Sequence, residues 1–161
     1  MLHNSGKTVL VVTLLSSVLA LGSCGGDGGH IAAQGVQFQR FKYSFSGGPC
    51  APGADCSGFI ELASDGTLRG DKSGELPGGI VHTAKVTQAE LDAAIPVLTN
   101  ASLVELLDRQ GQICQPPTDV VEDMILTMDQ KVHSHETTGC SDQPIADAHK
   151  VLSDLASRYF P

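Results

Sequence analysis

The sequence predicts an α+β fold: an antiparallel sheet built from hairpins, with helices packed on one face in a two-layer sandwich. Three observations point there. Segments that alternate with period two are joined by short turns at Asp65-Gly66 and Asp129-Gln130. Thr87-Gln88-Ala89-Glu90 and Ser102-Leu103-Val104-Glu105 fit capping boxes, in which side chains satisfy the free amides of a first helical turn. The C-terminal segment repeats apolar residues at helical spacing.

The first strand is expected within Val36 to Phe45, with Phe41, Tyr43 and Phe45 on one face and Arg40, Lys42 and Ser44 on the other. That is the pattern of a half-buried strand, and Gly47-Gly48-Pro49 ends it. In a second strand Phe59, Glu61 and Ala63 alternate with Ile60 and Leu62. Asp65-Gly66 then predicts a two-residue hairpin with positive φ at both positions, and Thr67 to Gly70 begins the return. After a loose loop at Gly74 to Gly79, Ile80 to Val86 adds a further short strand.

A helix should run from about Gln88 towards Leu98, with Pro96 kinking it or stopping it early. The second box starts a short helix at Ser102 that reaches about Arg109. Gln110 to Thr118 forms a loop around Cys114, Pro116 and Pro117. Val120 to Met128 is apolar on both faces, which suits a central strand. Asp129-Gln130 turns the chain, and Lys131 to Thr137 returns. Pro144 fits a helix's first turn. From there Ile145, Ala148, Leu152, Leu155, Ala156 and Tyr159 trace one amphipathic stripe.

Upstream of this domain lies a different kind of segment. Lys7 and the amino terminus supply positive charge, and Val9 to Leu21 is a 13-residue run of mostly Val and Leu. The run is short for a bilayer span and suits the apolar region of a signal peptide. Gly22 and Ser23 are small, as a processing enzyme requires next to the cleaved bond, and Cys24 follows. Leu21-Gly22-Ser23-Cys24 resembles the lipobox of bacterial lipoproteins. The resemblance implies diacylglycerol on the Cys24 sulfur and Cys24 as the mature N-terminus, held by several acyl chains. Gly25, where an acidic residue would favour retention at the inner membrane, implies the outer membrane if the organism has one. Gly6-Lys7-Thr8 looks like the tail of a phosphate-binding loop, but it lacks the upstream glycine and a preceding strand.

The expected organisation is therefore a signal peptide at 1–23, a Gly- and Ala-rich flexible tether at 24–35, and a single α+β domain at 36–161. Cleavage would leave 138 residues with nine basic and eighteen acidic side chains, a formal charge of −9. Such a chain is a poor nucleic-acid binder, since that binding draws on clustered Lys and Arg. The absence of Trp argues against an aromatic-rich binding face.

Five cysteines leave one unpaired; lipidation of Cys24 accounts for it. The other four allow three pairings in an oxidising envelope. Cys50–Cys56 and Cys114–Cys140 are preferred, the first closing a Pro- and Gly-containing loop and the second joining the entry and exit of a hairpin. Gly47-Gly48-Pro49-Cys50 to Cys56, Phe59-Ile60-Glu61-Leu62 and the Asp65-Gly66 turn resemble an uncharacterised family of bacterial lipoprotein domains. In that family a glycine-rich, Cys-containing turn precedes a hairpin, a helix and a second hairpin. The resemblance implies a fold and no activity.

Candidate chemistry is sparse. His133-Ser134-His135 places two imidazoles on one strand face, and with His82 or His149 as a third ligand they would hold zinc or copper. A solvated strand near the hairpin end explains the pair as well. Asp119, Glu122 and Asp123 cluster at the start of a strand without the ordered spacing of a calcium loop; an acidic sheet edge that discourages strand pairing explains them. Gly47-Gly48 and Gly78-Gly79 fit a loop site or plain turn geometry. Neither a Gly-x-Ser-x-Gly elbow nor a motif for a cofactor is present. The expected function is a lipid-anchored bacterial cell-envelope lipoprotein, attached to the membrane through Cys24, that acts as a non-catalytic module for an envelope protein or small ligand. The alternative is an envelope metal-binding protein or metal-dependent hydrolase using His133 and His135.

Overall fold

The computed structural model describes residues 35, 37–47, 56–71, 80–110, 114 and 119–160. Its strands are β1 (Phe38–Gly47), β2 (Ser57–Ala63), β3 (Thr67–Gly70), β4 (His82–Lys85), β5 (Val120–Met128) and β6 (Lys131–Glu136). The helices are α1 (Gln88–Leu98), α2 (Ala101–Leu107) and α3 (Gln143–Tyr159). The strands form one sheet in the order β4-β3-β2-β1-β5-β6, with every neighbouring pair antiparallel. This is the α+β architecture expected from hairpin-grouped strands, and β5 is an interior strand, as its two apolar faces predicted.

One face of the sheet is covered. Phe41 and Tyr43 of β1, Leu62 of β2, Leu68 of β3, and Met124 and Leu126 of β5 are buried on it. Phe38 is buried as well, although it lies an odd three positions before Phe41. A register shift between Phe38 and Arg40 reconciles the two, because one extra residue in a bulge restores the inward phase. The helices meet this face with Leu91, Ala94, Ile95 and Leu98 of α1, Leu103, Leu106 and Leu107 of α2, and Ile145, Ala148, Leu152 and Leu155 of α3. These side chains join the sheet's buried residues in one core. The opposite face carries Arg40, Lys42, Glu61, Arg69, Thr83 and Ser134, and among the described residues no helix packs against it.

Local chemistry explains the boundaries and corrects some expectations. Gly66 N–H donates to the Ala63 carbonyl at 2.9 Å. Positive φ is confined to Gly66, at 80°, and Asp65 does not share it. The β2–β3 connection is thus a three-residue turn completed by a left-handed glycine, and not the expected two-residue hairpin. Asp65 is free to use its carboxylate instead: it accepts from Thr67 N–H at 2.9 Å and from Lys85 Nζ at 2.7 Å. Asp129 and Gln130, at φ 49° and 62°, do form the two-residue turn between β5 and β6. The capping box of α1 is complete, with Thr87 and Glu90 bonding reciprocally. Pro96 lies in the last turn, where it has no N–H to give the Asp92 carbonyl, and α1 ends two residues later. α2 is capped by Asn100, whose side chain accepts from Ser102 N–H at 2.8 Å; Ser102 is inside the helix and is not its cap.

The acidic residues near β5 do not line an edge, because β4 and β6 are the edge strands. At Gly47, φ is 97° and a Cβ would collide with the Asp119 carbonyl, so turn geometry accounts for this glycine. Gly48, Gly78 and Gly79 lie outside the described residues, as do the signal segment, Cys24 and nearly all of the tether. Among the described residues, no helix is long and apolar enough to cross a membrane.

Candidate functional site

The candidate chemistry gathers where the β5–β6 hairpin meets α2 and α3. The two-residue turn fixes the register, with His133 opposite Leu126 and His135 opposite Met124. Both imidazoles therefore share a face, as the alternation required. That face is the helix-covered one, so His133 is 3% exposed and Val132 is 56% exposed. The solvated strand expected from His133-Ser134-His135 near the hairpin end is thus inverted: the apolar Val132 faces water and the polar His133 faces the core.

His133 is paired there. Its Nδ1 lies 2.8 Å from Asp108 Oδ1, and Lys131 Nζ donates to Asp108 Oδ2 at 3.1 Å. Asp108 is the C-cap of α2. The Lys131 ammonium, with the His133 contact behind it, holds the Asp108 carboxyl below the usual carboxylate range. The cluster pins the end of α2 to the edge strand.

His135 instead lines a pocket of about 70 Å³, together with Arg109, Cys114, Cys140, Asp142 and Ile145. Cys114 and Cys140 form a disulfide with Cα atoms 5.0 Å apart and a sequence separation of 26. It joins the entry and exit of the β5–β6 hairpin, as expected. Cys24 and Cys50 lie outside the described residues; Cys56 is disulfide-bonded.

The proposed third ligands do not complete a site with the β6 pair. His82 is on β4, at the opposite edge of the sheet, with its ring 5.5 Å from that of Phe160. Five interstrand steps put it roughly 24 Å from β6. The ring of His149 meets Tyr43 edge-on at 4.6 Å. Among the described residues, the group of His, Cys, Asp or Glu ligand atoms close enough to share one ion is Cys114, Cys140 and Asp142, within 4.8 Å of one another.

The acidic trio also separates. Glu122 points into the covered face and accepts from Tyr43 O–H at 2.6 Å. Burial, reinforced by this carboxylate, raises the Tyr43 phenol well above its usual range. Asp123, one residue on, lies on the open face opposite Glu136. Burial and then Glu136 push its carboxyl up. Asp119 precedes the strand.

A second polar centre was visible in the sequence only as a helix cap. Glu90 accepts from Tyr159 O–H at 2.6 Å and from Thr87 N–H at 2.9 Å, and it pairs with Arg158 at 2.6 Å. The Tyr159 bond, followed by those from Thr87, lowers its carboxyl to about 2. It thereby ties the start of α1 to the end of α3, beside a groove of about 330 Å³ lined by Ala89, Ala93, Val151 and Leu155. The chain matches no protein-family model and no curated protein.

Proposed function

We propose that this chain is a lipid-anchored bacterial cell-envelope lipoprotein whose domain is a non-catalytic binding or interaction module. The observation that carries the proposal is Leu21-Gly22-Ser23-Cys24 at the end of a 13-residue apolar run. The Cys114–Cys140 disulfide supports it, since such bonds persist in oxidising compartments. Lipidation also accounts for the odd cysteine. The non-catalytic reading rests on how the polar residues are used. His133, Asp108, Glu122 and Glu90 each bond to neighbouring elements of the fold. Ser153 and His149 touch at 3.3 Å across one turn of α3, a loose contact for a nucleophile and its base. The expected partner is an envelope protein or a small ligand, and the expected destination is the outer membrane where one exists.

Palmitate labelling and membrane fractionation of wild type and Cys24→Ser test the anchor. Wild type should label and sediment with membranes, and Cys24→Ser should do neither. An unlabelled, soluble wild type would overturn the proposal. Crosslinking in intact cells tests the module: a discrete adduct that survives changes of salt is expected, and its absence counts against binding.

A further inference from the structure

We propose that the Cys114–Cys140 disulfide, once reduced, becomes half of a zinc site completed by Asp142 and His135. The Sγ atoms and a carboxylate oxygen of Asp142 already lie within 4.8 Å of one another. His135 lines the same pocket of about 70 Å³. Zinc bonds of about 2.3 Å to sulfur and about 2.0–2.2 Å to nitrogen or oxygen place tetrahedral ligand atoms roughly 3.5–3.8 Å apart. On this proposal, reduction lets the two sulfurs separate towards that spacing, and His135, which lies outside the 4.8 Å group, rotates in from the pocket wall.

The individual ligands are suited to the role. Asp142 occupies the N-cap of α3, yet its side chain makes no capping hydrogen bond, so the carboxylate is not committed to the helix. Cys140 lies two residues before that N-cap, at the positive end of a 17-residue helix, where a thiolate is favoured. Two thiolates and one carboxylate bring three negative charges; Zn²⁺ and Arg109, which lines the pocket, bring three positive ones. Thiolate, imidazole and carboxylate together are ligands that zinc accepts in closed tetrahedral sites.

The chemistry balances with a dithiol as reductant. The dithiol is oxidised to its own disulfide, the Cys114–Cys140 bond breaks, and two thiols form. Binding Zn²⁺ then releases both thiol protons to solvent. Exchange with the disulfide form of the same dithiol reverses the sequence: the Cys114–Cys140 bond re-forms, the dithiol is regenerated by taking up two protons, and Zn²⁺ is released, so disulfide and metal are alternative staples at one point.

The test titrates Zn²⁺ against a chromophoric chelator, using the full chain reduced with a phosphine that does not compete for the metal. One zinc per reduced chain and none per oxidised chain are expected, with thiolate charge-transfer absorption when cobalt(II) replaces zinc. Asp142→Asn and His135→Ala should each weaken binding about tenfold or more, and Cys140→Ser should abolish it. Cys50→Ser/Cys56→Ser should leave it unchanged. The proposal fails if the reduced chain binds no zinc, or if binding follows Cys50 and Cys56. It fails equally if Asp142→Asn and His135→Ala both bind as wild type, or if reduction unfolds the domain by far-UV circular dichroism.

Discussion

Removing the Cys114–Cys140 bridge with Cys114→Ala/Cys140→Ala should destabilise the domain by an amount that the loop length sets. The sequence separation is 26, and on the chain-entropy relation such a loop gives about −12 cal/mol/K, or about 3.5 kcal/mol at 25 °C. Native domains have roughly 5–15 kcal/mol in total, so the loss is large but leaves a folded molecule. Both cysteines are half-buried, and the cavity left by the sulfurs adds little. With a urea dependence of about 2 kcal/mol/M, the midpoint should fall by roughly 1.7 M. The dependence itself should steepen, because the uncrosslinked unfolded chain exposes more surface. Urea titration followed by circular dichroism under non-reducing conditions measures both. A midpoint shift under about 0.5 M would refute the idea that this bridge staples the β5–β6 hairpin.

Other expectations follow from single residues. Glu90→Gln should flatten the acid limb of thermal stability: the carboxyl is lowered from 4.5 to about 2. Its contribution is therefore present above 4.5 and is lost as pH falls towards 2. Melting curves across that range should show wild type declining more steeply than the variant. Leu126→Ala removes a fully buried side chain from the interior strand and should cost about 2–5 kcal/mol in chemical denaturation. Gly66→Ala places a Cβ at φ 80° and should cost about 1–2 kcal/mol by the same measurement.

Periodicity made much of the architecture legible. The alternation of Phe41, Tyr43 and Phe45 identified the inward face of β1, and the apolar faces of Val120 to Met128 placed β5 inside the sheet. Thr87 and Glu90 announced the start of α1. What the pattern lacked was the long-range partner. His133 and His135 had to share a face, but which face the helices would cover depends on α2 and α3 arriving from elsewhere in the chain. Asp108, which holds His133, is 25 residues from it, and Lys131, which bonds to Asp108, is 23 residues from that carboxylate, so their meeting depends on tertiary packing. His82 looked available until strand order put it across the sheet. Asn100 took the cap from Ser102 because either residue type serves, and two residues of offset are invisible to the capping pattern. The pocket that joins His135, Asp142 and the disulfide has no sequence signature at all, since its members come from α2, the segment between α2 and β5, β6 and the chain on either side of α3's start.

Intact-mass and peptide mass spectrometry of the native protein, without reduction, addresses the lipid anchor most directly. Lipidation predicts a mature N-terminus at Cys24, with the mass of diacylglycerol on its sulfur and residues 1–23 removed. An unmodified Cys24, or a mature N-terminus at any other residue, would contradict it.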